Sequence, residues 1–581
     1  MESTETNRQN QNVIELSNTS VLSTGINESN TTHGEIHITR DSNDEAEGED
    51  GLLPITKSQF LMLNVALCVG IFMVTLDVII LATAIPTITH EFHSLGDVGW
   101  YGSAYLLTQT AFQPTFGKVY NYFNTKWTLL MGIMVFEIGS ILCAAATSSP
   151  MLICGRAVAG FGAAAIFSGG VNIITMIFPL KHRAPFLGLM GAMIGMAMIV
   201  APPLGGILTD RFSWRWCFWI NLPCGGLMVI IIVLFLNQTA QISFGLSWME
   251  RIIALDPASA LLLVSCITAL LISLQWGGER YPWSHPKVLA CIITAGILLV
   301  AFYAFQSWKG ESAMIPTRLL RQRSILGSSL AACFLSMAFH VHSYYLPIYL
   351  QAVKGLTAEQ SGIQILPYQV TNSLFSLGVG VLVGIVGWYP PFLWLGTLAF
   401  VVGSVLFYKL DVDSTVAAVV GYQIIAGAGV GTAINIPHIA VQAISSKKDV
   451  SSANAIVFFF HALGGAVGIG IAQNIFSISL QENLPLTVPD MDISAIIDDS
   501  SANIRNLIPA EYLAAVLRVY CSSIAKAFIP PIVTASLAFR KRFPLSSHRE
   551  LASFAYSPSK QISIIDLWKN STLPLNVSMQ S

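Results

Sequence analysis

Asp77 stands within LDVIILATAIPTI, a run with no other charge. A carboxylate in such surroundings is costly when ionised, so it must find a partner or carry a proton. It is either a group that exchanges protons or a carboxylate near an interface that pairs with a neighbouring helix. Arg156, within GRAVAGFGAAAIFSGG, poses the converse problem. A guanidinium there needs an acidic partner or backbone carbonyls. Glu137 is a third charge in an apolar run. It either pairs with Arg156 or faces a lipid headgroup. The chemistry on offer is proton binding and release, not bond making. No nucleophile–base pair is evident, and no phosphate-cradling GxxxxGK[ST] loop, so an enzyme or an ATP-driven pump is unsupported. The nine cysteines form no CxxC pair, and the histidines have no acid or cysteine at ligand spacing. No metal site, disulfide framework or cofactor is therefore expected.

These residues need elements to hold them, and the composition says which. Of 581 residues, 53% are hydrophobic and only 11% charged, against roughly a quarter charged in ordinary soluble domains. The charges are clustered: thirteen precede Lys57, eleven of them acidic, and most of the rest sit between long apolar runs. A net charge of −2 excludes a strongly basic nucleic-acid binder. Windows of about 20 apolar residues place fourteen helices near 60–83, 98–117, 127–147, 150–178, 185–208, 216–236, 254–276, 287–307, 324–350, 360–386, 390–409, 414–437, 454–476 and 519–539. The fourteenth is the weakest, because Lys526 and Pro530–Pro531 interrupt it. The expected fold is an all-α polytopic membrane protein.

Lys and Arg concentrate in alternate connections, which orients the helices with both termini cytosolic. Residues 1–57 read as a disordered acidic cytosolic tail with no signal-peptide pattern, and 544–581 as a cytosolic C-terminal tail. The longest external loop is expected at 477–513.

Small residues mark where helices approach closely. Gly160 and Gly162 follow Arg156, and GLMGAMIGMAMIVAPPLGG carries Gly191, Gly195, Pro202, Gly205 and Gly206. The latter reads as a close-packing face followed by a backbone break. Trp214, Trp216 and Trp219, beside Arg211 and Arg215, read as an interfacial anchor. Polar or aromatic residues that could line a path are Gln109, Asn172, Tyr344, Tyr345, Gln364 and Asn435.

Taken in order, these segments resemble the major facilitator superfamily, specifically its fourteen-spanning drug:proton antiporter branch of fungal type. The resemblance covers about 60–476 and more loosely 477–543. It rests on LDVIILATAIPTI, GRAVAGFGAAA, APPLGG, SWRWCFWINLPCGG, YYLPIYLQAVKG, SGIQILP, GVGTAINIPHIAVQA and NAIVFFFHALGGAVG. It implies a six-helix bundle at 58–236, two inserted helices and a linker at 237–310, and a second six-helix bundle at 311–543. It further implies a monomeric plasma-membrane transporter, with a vacuolar membrane as the lesser alternative, that exports amphipathic organic compounds against protons. Asp77 would carry the proton, with Arg156 biasing its ionisation and Glu137 a further candidate. Uptake or vacuolar transport of a defined solute, such as a siderophore or a basic amino acid, is the alternative on the same fold. The loop after the second span departs from the family: Gly117, Lys118 and Lys126 keep its character, whereas Asn121 replaces an acidic residue. His461 stands where the branch often has Arg.

Overall fold

The computed structural model describes residues 56–177, 183–236, 247–278, 281–310, 313–386, 388–445, 449–487 and 508–540. The expected tails, and residues 488–507 of the expected external loop, lie outside the described residues.

The first six spanning helices are α1 (Lys57–Phe92), α2 (Val98–Tyr122), α3 (Thr125–Ala144), α4 (Ser149–Ile177), α5 (Arg183–Arg211) and the two-piece α6 (Trp216–Trp219 and Asn221–Phe235). A hairpin follows: α7 (Pro257–Trp276) and α8 (Pro286–Lys309). The last six are α9 (Arg323–Ile348), α10 (Ala358–Gln364 and Leu366–Val386), α11 (Pro390–Tyr408), α12 (Val416–Ala433 and Ile436–Ile444), α13 (Val450–Thr487) and α14 (Ala510–Ala527 and Ile529–Arg540). Thirteen of these are long and apolar enough to cross a membrane. The fourteenth, α2, is more polar, which its position permits: it packs against α4, α13 and α7.

The ends of the helices are set by local chemistry. Thr56 and Gln59 form a capping box at the start of α1, and Asn124 caps α3 through Lys126 N and Trp127 N. Asp256 caps α7 from a left-handed backbone (φ 61°), with Pro257 in the first turn.

Each half offers its second and fifth helices to the other: α2 meets α13, and α5 meets α10. Within the first half, α3 and α4 approach so closely that a Cβ at Gly139 or Gly162 would strike the backbone of Ala159 or Phe136. The hairpin lies against both α2 and α13, and Asn474 Nδ2 of α13 donates to the carbonyl oxygens of Leu274, at 2.7 Å, and Gly277.

Three expectations change. α13 continues to Thr487, occupying residues expected in the external loop. The last span begins at Ala510 rather than near 519, and its interruption falls at Phe528, beside Pro530–Pro531. α5 runs unbroken through Pro202 and Pro203. Proline removes a donor but leaves the chain helical, and the groups near it are engaged across the molecule, as described next.

Candidate functional site

Asp77 of α1 and Arg156 of α4 are both buried, at 0% and 1% side-chain exposure, and form an ion pair at 2.5 Å. Neither charge is left bare. Arg156 Nε donates to the carbonyl oxygen of Tyr101 at 3.0 Å. Its guanidinium lies 4.4 Å from the centre of the Tyr105 ring, a cation–π contact. Asn221 of α6 donates from Nδ2 to Asp77 Oδ1 at 2.8 Å and lies 3.1 Å from Ser140 Oγ of α3. Helices α1, α2, α3, α4 and α6 thus converge on one charge pair. A pair so buried is kept by its hydrogen bonds, because desolvation offsets most of the Coulomb gain.

Glu137 does neither of the things its sequence suggested. It does not meet Arg156, and both carboxylate oxygens are buried with no hydrogen-bond partner. The carboxyl packs against Gly225 of α6, where any Cβ would collide with it. It lies one helical turn from Ser140, hence beside the Asp77 network.

Tyr101, whose carbonyl meets Arg156, also carries a chain of hydroxyls toward the end of the bundle that holds the α1–α2 and α3–α4 connections. Tyr101 bonds Ser94 Oγ at 2.7 Å and Ser149 Oγ at 2.9 Å, and Ser149 donates to Asp97.

At that same end the two halves are pinned together. Asp210, at the end of α5, accepts from Ala358 N and Glu359 N at the start of α10, at 3.3 and 2.6 Å. Arg211 makes a two-point contact with Glu359 at 3.1 and 2.8 Å. A Cβ on Gly206 would strike the Ala358 carbonyl, and one on Gly362 the Pro202 carbonyl. Gln351 Nε2 donates to Thr83 O at 3.1 Å, Gln473 Nε2 to Leu95 O at 3.1 Å and Ser103 Oγ to Ala466 O at 3.1 Å.

The remaining sequence candidates fall in several places. Tyr344 is buried against Gly102 of α2, and Tyr345 donates to Gln473 Oε1 at 3.0 Å, so both belong to the outer closure. Gln109 on α2 and Asn172 on α4 are half-buried. Gln364 sits at the break in α10, and Asn435, at the break in α12, donates to Ser376 Oγ at 2.6 Å. Gly160 lets α4 touch the Tyr105 carbonyl, Gly205 lets α5 touch Ile80 and Thr83 of α1, and Gly195 faces Ser373. Gly191 lies on α5. At the opposite end of the bundle Gly117 is exposed with nothing near it, Lys126 donates to Val233 O at 2.8 Å, and Lys118 lies within electrostatic reach of Asp256 and Lys309.

The tryptophan anchor is corrected. Trp216 is exposed, but Trp214 is buried, with Nε1 2.6 Å from Glu91 Oε2. Arg215 bonds the same carboxylate at 2.7 and 3.2 Å. Reasoning from the sequence also passed over Asn221, Tyr101, Tyr105 and Ser140. Asn221 carried a signal: a lone amide in the otherwise apolar WCFWINLP.

Fourteen helices in two halves, closed on one side around a buried charge pair, define a multi-pass membrane transporter. The Major Facilitator Superfamily model matches residues 67–469. The chain is 40% identical to the Aspyridones efflux protein of Neocamarosporium betae, over 86% of this chain and 89% of that one. It is 39% identical to the MFS-type transporter astH of Aspergillus oryzae, over 82% and 85% respectively. A solved bacterial homologue of the human lysosomal transporter Spinster shares the fold at a TM-score of 0.58 and 12% identity, covering 83% of this chain and 97% of that one. The chain belongs to the Major Facilitator Superfamily.

Proposed function

We infer that this transporter exports amphipathic organic compounds from the cytosol across the plasma membrane in exchange for protons, as a monomer with both termini cytosolic. The naming of its relatives as efflux proteins supports the direction, and the cytosolic bias of Lys and Arg supports the orientation. The single observation that carries the reading is the Asp77–Arg156 pair beneath a closed outer face.

The pair acts as a charge switch. When Asp77 is ionised, Arg156 is neutralised and the first half is rigid. When Asp77 takes a proton, Arg156 keeps its charge with the Tyr101 carbonyl and the Tyr105 and Phe218 rings to hold it, and no anion. A buried unpaired charge is costly, so protonation favours a rearrangement of α1 against α4. α1 also carries Thr83, which is tied to Gln351 of the second half. The same helix therefore links proton occupancy to the outer seal, which is the coupling that alternating access requires. Glu137, beside Ser140, serves as a second proton holder on the cytosolic side of Asp77.

The test uses purified protein in sealed vesicles with an imposed pH gradient and a panel of fluorescent amphipathic compounds. Gradient-driven movement is expected in the wild type and absent in Asp77→Asn and Arg156→Ala. Movement that ignores the gradient, or survives both changes in folded protein, overturns the coupling.

A further inference from the structure

Three histidines gather in the second half, away from the Asp77 network. His340 of α9 and His461 of α13 have ring centres 6.2 Å apart, and His461 and His438 of α12 6.1 Å. Each comes from a different helix, and α12 is broken just before His438, at Ile434–Asn435. The first turn of its second piece therefore sits at the cluster, with the positive end of that piece beside His438.

The hydrogen bonds fix what two of the rings offer. His340 Nδ1 lies 2.9 Å from the Ser336 carbonyl oxygen, and His438 Nδ1 lies 3.1 Å from Asn454 Oδ1. Both partners are acceptors, so Nδ1 carries the hydrogen and Nε2 is the atom left to take a proton. His461 Nδ1 is buried with no partner. A fourth histidine, His342, points elsewhere, to Ser404, Phe400, Phe407 and Phe528.

The surroundings lack a counter-charge. His340 is bordered by Ser336 on its own helix, by Phe339 and then Tyr368 of α10, and by Tyr344 one turn on. α13 adds Asn454 and Phe458, and α4 of the first half adds Phe167, 5.1 Å from Phe458. Among the described residues, the only charged groups acting on the three rings are the rings themselves. Among the described residues an imidazolium formed here finds no anion, and a bound molecule supplies one.

We propose that His340, His438 and His461 form the recognition site for the acidic group of the cargo, which makes this transporter a carrier of aromatic or lipophilic weak acids. The step balances as a proton transfer. A neutral acid HA gives its proton to Nε2 of an imidazole, and A⁻ stays as the counter-ion of the imidazolium. No electron moves and no bond other than the acidic O–H is broken. The His438 and Phe458 rings lie tilted against each other with centres 4.2 Å apart, and Phe458 meets Phe167 of the opposite half edge to face, so an aromatic body on the anion would extend along these rings toward the first half. The proton at this site travels with the acid, and the proton on Asp77 is the one exchanged. The inference rests on the reading of the protein as an exporter, but its test does not use a gradient.

The test is equilibrium binding to the purified full chain in lipid nanodiscs, with 1-pyrenebutyric acid and 1-pyrenebutanol as matched probes. The wild type is expected to bind the acid about tenfold more tightly than the alcohol at pH 6, as a charge-assisted hydrogen bond implies. At pH 6 the acid probe is present chiefly as its carboxylate, so titration calorimetry in two buffers of different ionisation enthalpy is expected to show the site taking up a proton from the buffer on binding the acid and none with the alcohol. The triple variant His340→Gln, His438→Gln, His461→Gln is expected to bind both probes equally, its retained alcohol binding reporting a folded protein. Asp77→Asn is expected to keep the preference for the acid even though it loses coupled transport, which separates failure of this site from failure of the coupling. Equal affinities in the wild type, or a preference that survives the triple substitution, overturns the proposal.

Discussion

Gln351 donates to the carbonyl oxygen of Thr83 at 3.1 Å, and Thr83 lies less than two helical turns along α1 from Asp77. This contact between the halves and the buried charge pair are therefore two ends of one short helical segment. Gly205 of α5 packs on that segment at Ile80 and Thr83. Packed helix alone, with no intermediate loop, thus connects Asp77 to Asp210 and Arg211.

Removing one partner of the pair is more damaging than removing both. Asp77→Asn leaves Arg156 charged and buried, at a cost of about 3–5 kcal/mol. Asp77→Asn combined with Arg156→Met is expected to recover much of that loss. Thermal unfolding in detergent checks the order, and a double variant less stable than the single one contradicts it.

Asn221→Ala withdraws the donor to Asp77 and leaves Ser140 without it. The expected loss is about 1–3 kcal/mol of stability, with reduced gradient-driven transport at unchanged expression. Unaltered melting and transport together refute a positioning role for Asn221.

Glu137→Gln removes a charge that makes no hydrogen bond. Because a buried unpaired charge is costly, stability is expected to rise, by on the order of 1 kcal/mol, while the pH profile of transport shifts. An unchanged profile removes Glu137 from the proton route.

Gly362→Val places a branched side chain against the Pro202 carbonyl and prevents the outer ends from meeting. Ser103, fully buried in the closed arrangement, then becomes reachable from outside. A Ser103→Cys reporter is expected to react with a membrane-impermeant maleimide at least about tenfold faster in the Gly362→Val background. Equal rates rule out the contact as a gate.

The hairpin has its own pH dependence. Burial pushes the Asp256 carboxyl up, but hydrogen bonds from Lys309 and Ser259 outweigh it and hold the group below its usual range. A depressed folded value means the stabilisation is fully present above the unfolded carboxylate value of ~3.9 and fades as pH falls through the folded one. The stability gap between wild type and Asp256→Asn is expected to be constant from about pH 7 to pH 5 and to shrink below about pH 4. A gap that widens on acidification contradicts the sign.

Much of the fold was legible because a bilayer demands long apolar helices and leaves few other solutions. α2 was placed by its apolar window, although in the structure it alone of the fourteen described helices falls short of the combined length and apolarity that crossing a membrane asks. Asp77 and Arg156 stood out because each was a charge without local company, but their pairing joins residues 79 apart and no periodicity reports it. Glu137 looked like their equal and differs only in what α6 brings beside it. Trp214 was misread because the tryptophan belt is a statistical rule about exposure, whereas Glu91, 123 residues away, supplies the indole with a hydrogen-bond partner. The proline pair misled for a similar reason, since a helix end and a helix face look alike in sequence.

The hairpin of α7 and α8 makes the molecule lopsided toward the lipid. Two seams separate the halves, one between α2 and α13 and one between α5 and α10. Among the described residues only the first is covered, by α7 fastened through Asn474. The α5–α10 seam carries no such cover, so the two flanks present different surfaces to the surrounding lipid.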